Sequence, residues 1–183
     1  MKLVSAKEML DDAVKGHYAV GHFNLNNMES VRAFLLAAQE VRSPIILGVS
    51  GGTAKYMGGY RTITDMVQGF MDFLDITVPV ALHVDHGKYS EALDAIEKGF
   101  SSVMFDGSSL PIEENIEKTR EVVRLAHAKG NRVLPGGSQV KETPDPAGRN
   151  RSDSAVQILF IIHGEITSLR SVSSFSKTTP SSL

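Results

Sequence analysis

An apolar run, Val78-Pro79-Val80-Ala81-Leu82, gives way abruptly to His83-Val84-Asp85-His86-Gly87. Imidazole and carboxylate groups so placed can bind a hard or borderline divalent cation and move a proton beside it. A continuous apolar run is the mark of a strand buried in a parallel sheet. Polar groups at its C-terminal end stand at the mouth of an α/β fold, where substrates bind. Asp85 and His86 are adjacent, so an ideal strand would send them to opposite faces. They can serve one site only if the strand ends there and Gly87 lets the backbone turn. His83, two residues before Asp85, points the same way as Asp85 and is expected either to support the site or to face substrate. The chain has no cysteine, which excludes disulfides and thiolate zinc sites and leaves His with Asp or Glu for any transition metal.

Such a site needs strands and helices to hold it. Ser5-Ala6-Lys7-Glu8 reads as a capping box opening a short helix that Gly16 stops. Tyr18–Phe23 reads as a strand ending in Asn24, and Asn27 can cap a helix carrying Val31, Phe34, Leu35 and Ala38 at helical spacing. Ser43-Pro44 ends that helix, and the strand Ile45–Val49 opens into Ser50-Gly51-Gly52, expected to be a loop with free amides. A helix near Thr62–Leu74, the strand Val78–Val84, a helix near Tyr89–Lys98 and the strand Ser101–Phe105 continue the alternation. Asp106-Gly107-Ser108 then leads to a long helix, Glu113–Lys129, with Ile116, Val122, Val123 and Ala126 as its inner stripe, and a fifth strand is expected near residue 131. Strand plus helix repeating at this spacing predicts βα units with a parallel sheet. A complete eight-unit barrel takes about 250 residues; a chain of 183 has room for little more than half of one.

Composition narrows the function classes. A net charge of −2 gives no reason to expect nucleic acid or an anionic membrane as partner. Hydrophobic residues at 42% suffice for a real core. Met1-Lys2-Leu3-Val4-Ser5 lacks the apolar segment of a signal peptide, and no run approaches membrane-spanning length. The expected location is the cytoplasm.

From Leu82 to Gly87 the chain resembles the class II, metal-dependent fructose-bisphosphate aldolases, including their tagatose-bisphosphate relatives. Tyr18–Asn24 and Ser43–Ser50 look like the first two strands of that family, and Lys55–Tyr60, Gly99–Ser108 and Glu113-Glu114-Asn115 also match. The similarity runs from about residue 3 to residue 130. It implies an α/β fold, a partial TIM (β/α)8 barrel of the first four to five βα units. By resemblance His86 corresponds to a catalytic zinc ligand, Asp85 to the general acid/base, and Asp106 to a carboxylate at an accessory metal position. Ser50 and Asn24 match substrate-contacting positions. The implied cofactor is Zn²⁺ and the implied partner a small sugar phosphate, in a homo-oligomer. The implied reaction is reversible cleavage of fructose 1,6-bisphosphate to dihydroxyacetone phosphate and glyceraldehyde 3-phosphate, with tagatose 1,6-bisphosphate as alternative substrate. The residue types suit it: a cation stabilises enediolate charge as a Lewis acid, while a carboxylate takes and returns the hydroxyl proton. The Gly51-Gly52 amides and the Gly107-Ser108 turn could help hold oxyanions.

The resemblance stops near Asn131. By the resemblance, an acidic segment after the fifth strand and two later His-Gly segments complete the family's zinc site; here Val133-Leu134-Pro135-Gly136-Gly137 lacks the expected glutamate, and the family's later phosphate-binding glycine-rich loops are not recognisable. A catalytic zinc takes three protein ligands and an open position, so an impaired activity is expected. Residues 131–183 read as a divergent tail of the kind a frameshift, mispredicted exon or truncation produces, and the Ser/Thr-rich end from Thr167 reads as disordered. Within it, His163-Gly164 ends the apolar run Val156–Ile162 as a remnant ligand segment would. Two other function classes remain open, a non-catalytic metal- or sugar-phosphate-binding half-barrel and a pseudogene product.

The remaining candidates have plainer readings. His17 and His22 are expected to be structural or solvent-facing, and His127 a surface residue favoured near a helix C-terminus. Lys55 and Lys88 could be considered as Schiff-base nucleophiles, but the class II pattern argues against that chemistry.

Overall fold

The computed structural model describes residues 3–130 and the backbone of a strand at Arg132–Pro135. His163, the apolar run before it and the Ser/Thr-rich end lie outside the described residues. The elements are α1 (Ala6–Gly16), β1 (Gly21–Asn24), α2 (Met28–Val41), β2 (Ile45–Ser50), α3 (Gly51–Tyr56), α4 (Tyr60–Phe73), β3 (Val80–Gly87), α5 (Tyr89–Glu97), β4 (Ser102–Phe105), α6 (Ile112–Ala128) and β5 (Arg132–Pro135). The five strands form one sheet in chain order, every neighbouring pair parallel. Successive βα units laid side by side in this way are the arrangement of a TIM barrel, here its first five strands.

The two faces of the sheet have different chemistry. Leu47 and Val49 of β2, Leu82 and Val84 of β3, and Val103 and Phe105 of β4 share one face and pack against the helices. The helices answer with Val31 and Leu35 of α2, Ile63 and Val67 of α4, Ala92 and Ala95 of α5, and Val122 and Ala126 of α6. Phe100, fully buried after α5, meets the Tyr60 ring edge-on with centroids 5.1 Å apart. The opposite face, which a closed barrel turns inward, carries His22, Asn24, Gly48, Ser50, His83, Asp85 and Ser102, as the register requires. Its lower end is apolar, with Ile46 and Ala81 covered by Ala6 and Met9 of α1, and buried Met104 of β4 adds an apolar side chain beyond Ser102.

Local signals set most boundaries. Ser5 caps α1 by accepting from the Lys7 amide at 3.3 Å. The helix runs through Gly16 and is ended by His17 in the left-handed region, φ 54°, which gives that histidine a structural role. Asn27 and Ser30 form a reciprocal capping box on α2. Ile116 is 45% exposed, so the inner stripe of α6 is narrower than its spacing predicts, held by Val122 and Ala126 with Val123 packed beside them. Ser50-Gly51-Gly52 is not an open loop. Ser50 caps the short helix α3, accepting from the Thr53 amide at 3.2 Å, so part of the expected free amide edge is already satisfied.

Candidate active site at the mouth of the third strand

The third strand does not stop before its polar residues. It continues through Asp85 and His86 to Gly87, and its pairing with β4 slips between Val84 and Gly87: Val84 lies opposite Val103, whereas Gly87 lies opposite Phe105. Three steps on β3 span two on β4, so β3 carries one extra residue, a β-bulge. His86 takes the left-handed conformation there, φ 50°. The extra residue resets the alternation, so Asp85 and its neighbour His86 can both face the mouth. The turn thus falls on His86 itself. Gly87 serves close packing instead, because a Cβ there would press on the Val84 side chain and lie 3.3 Å from the Met104 carbonyl oxygen. A bulky residue at positive φ costs of order 1–2 kcal/mol, strain concentrated at the site.

His86 is open to solvent, and its Nδ1 lies 2.8 Å from Asp106 Oδ2 at the end of β4. The Ser108 amide donates to Asp106 Oδ1 at 3.0 Å. These bonds, the one to His86 foremost, hold the Asp106 carboxyl below its ordinary range. Asp85 is half-buried and lies in register with Ser50. One row down, Asn24 on β1, Gly48 on β2, His83 on β3 and Ser102 on β4 form a lateral line across the sheet.

His83 is 2% exposed, and its Nδ1 lies 2.8 Å from Ser102 Oγ. Burial, helped by the nearby His22 and His86, pushes its pKa down to about 3, so it is a neutral hydrogen-bonding group. His22 meets it edge-on with ring centroids 5.4 Å apart. The His22 pKa is lowered by desolvation, with the Asp85 charge pulling the other way. His22 is exposed, in keeping with its solvent-facing reading, and its ring edge rests against His83 on the inner face of the sheet. His127 is exposed, as expected.

Among the sequence candidates, His86 and Asp106 are in direct contact, and Asp85 and Ser50 are cross-strand neighbours. Asn24 reaches the same face from β1. Ser102 and the contact of His22 with His83 escaped the sequence reading. The legible signal for Ser102 was a hydroxyl on a short apolar strand at the alternation that faces inward. Among the described residues, no three His, Cys, Asp or Glu side chains converge as a ready-made metal cage. The donors fit a divalent cation in kind: with Nδ1 donating to the Asp106 carboxylate, His86 Nε2 is left available, an arrangement typical of metal-binding histidines. They fall short in number for a tetrahedral site.

Residues 4–133 match the family model for fructose-bisphosphate aldolase class-II. The chain is 55% identical over 131 residues to a fructose-bisphosphate aldolase of Geobacillus stearothermophilus, a match covering 71% of this chain and 46% of that protein. It is 53% identical over 131 residues to one of Staphylococcus aureus, with the same coverage. Among solved structures, the YdjI aldolase from Escherichia coli K12 superposes with a TM-score of 0.65 at 33% identity, covering 73% of this chain and 51% of that one. The fructose-bisphosphate aldolase of Campylobacter jejuni gives 0.63 at 25% identity, covering 73% and 46%. The chain spans about half the length of the curated relatives it matches. With the family match over residues 4–133 and a parallel sheet whose polar face ends in Asp85 and His86, the chain belongs to the class-II fructose-bisphosphate aldolase family.

Proposed function

We propose that the mouth of β3 is the proton-transfer and cation-binding part of a metal-dependent aldolase site, acting on fructose 1,6-bisphosphate to give dihydroxyacetone phosphate and glyceraldehyde 3-phosphate, reversibly. The observation that carries this reading is the bulge at Asp85 and His86, which breaks the alternation that would send these neighbours to opposite faces. Asp85 is the acid/base: half-buried and close to solvent, it takes the proton of the hydroxyl next to the breaking carbon–carbon bond and returns it in condensation. Ser50, beside Asp85, and Asn24 orient the sugar phosphate with hydroxyl and amide groups. His86 through Nε2 would hold a zinc ion, with Asp106 fixing the imidazole or serving an accessory position; further donors must come from beyond these residues. Bound there, the cation would supply Lewis-acid stabilisation of the charge that develops beside the carbonyl.

The curated relatives from Geobacillus stearothermophilus and Staphylococcus aureus are fructose-bisphosphate aldolases, which favours fructose over tagatose bisphosphate as substrate. The test is cleavage of fructose 1,6-bisphosphate by the full chain, coupled to detection of glyceraldehyde 3-phosphate, with and without EDTA. Cleavage that EDTA abolishes and zinc restores supports the reading. Turnover no greater than that of Asp85→Asn, at any zinc concentration, refutes it.

A further inference from the structure

One histidine of the inner face has no task in the chemistry above. His22 lies in register with Ile46, and Ile46 with Ala81. Ala6 and Met9 of α1 cover Ile46 and Ala81 in that row, while the His22 imidazole lies across β2 toward Gly48, two residues nearer the mouth. Its Nε2 and the Asn24 Oδ1 both lie within 2.8 Å of the point a Cβ on Gly48 would occupy. The two polar groups share the space that one glycine leaves in the middle of the face. On its other side the ring leans edge-on against His83, which burial and the Ser102 hydroxyl hold still.

We propose that His22 is a positioning residue of this site: lodged over Gly48 and against His83, it sets where the Asn24 side chain stands relative to the Asp85 carboxylate. The inference rests on reading the inner face as the sugar-phosphate site. An exposed asparagine has several rotamers open to it, and a site tolerates little positional error in a group that orients substrate. A ring braced by a buried histidine removes that freedom, and its nitrogen can exchange a hydrogen bond with the amide where a carbon wall cannot. A residue that merely filled space would be replaced equally well by phenylalanine.

The experiment uses the full chain and three variants, His22→Phe, His22→Gln and Gly48→Ala. The Asn24 side-chain amide resonances and the melting temperature are recorded for each, with kcat and KM for fructose 1,6-bisphosphate. His22→Phe and Gly48→Ala should displace the Asn24 resonances and raise KM about tenfold with kcat nearly unchanged, the pattern of a lost orienting contact made equally in ground and transition states. His22→Gln, which keeps a polar group of similar reach, should return both toward the wild-type values. Asn24 resonances and KM unmoved in His22→Phe overturn the proposal, as does a failure of glutamine to rescue. If His22→Phe fails to fold, a fourth variant, His22→Ala, takes its place, and unmoved Asn24 resonances there overturn the proposal equally. A wild-type chain that cleaves nothing while His22→Phe still displaces Asn24 refutes the aldolase reading and upholds the positioning.

Discussion

His86 Nδ1 and Asp106 Oδ2 lie 2.8 Å apart and tie the end of β3 to the end of β4. Twenty residues separate them in sequence. The bond fixes the plane of a solvent-exposed imidazole, and the Ser108 amide fixes the carboxylate in turn. Removing the carboxylate should therefore loosen the histidine without disturbing the core. Asp106→Ala is expected to weaken zinc binding by about 10- to 100-fold, the range for outer-shell partners of ligating histidines. Calorimetric titration of zinc into the wild type and variant checks this, and equal affinities would contradict it.

His86 also carries the backbone strain of the bulge. Glycine adopts positive φ without the Cβ penalty. His86→Gly should raise stability by about 1 kcal/mol while abolishing zinc binding. Urea unfolding reads the first effect and zinc titration the second. A variant less stable than the wild type would show that the left-handed turn is not strained.

Asp85→Asn preserves size and removes the base. If Asp85 transfers the proton, kcat for fructose 1,6-bisphosphate should fall by about 10²- to 10⁴-fold, with KM and melting temperature little changed. A fall in KM-derived affinity with kcat intact would assign Asp85 to binding instead.

Buried His83 makes stability depend on pH. Its pKa is held at about 3 in the folded chain, against 6.5 ordinarily, chiefly by burial. Above pH 6.5 both states are neutral and its contribution is fully present. As pH falls below 6.5 the unfolded chain takes up a proton that the folded chain refuses, so stability is lost by up to about 1.4 kcal/mol per pH unit, until the folded group itself titrates. Urea unfolding at pH 7.5 and pH 5.0 should show the loss. His83→Asn, which keeps an acceptor near the place of Nδ1 for Ser102 and does not titrate, should flatten it.

The amino-acid sequence determined the βα alternation, the parallel order of the strands and the apolar positions under the helices. These depend on periodicity and on turn and cap residues, which act over a few positions. The alternation of Leu82, Val84, Val103 and Phe105 toward the helices is of that kind. It also determined the candidate residues, because a carboxylate and imidazoles at a strand end are legible as letters. Tertiary structure alone decided that the strand alternation breaks at Asp85 and His86. That follows from a slip in pairing between two strands, which no local pattern on β3 records. It likewise decided that Ser50 caps a helix and that His22 lies over Gly48. Each of those outcomes is set by which neighbours occupy the adjoining space, His83 and the gap at Gly48 beside His22 and Thr53 beside Ser50.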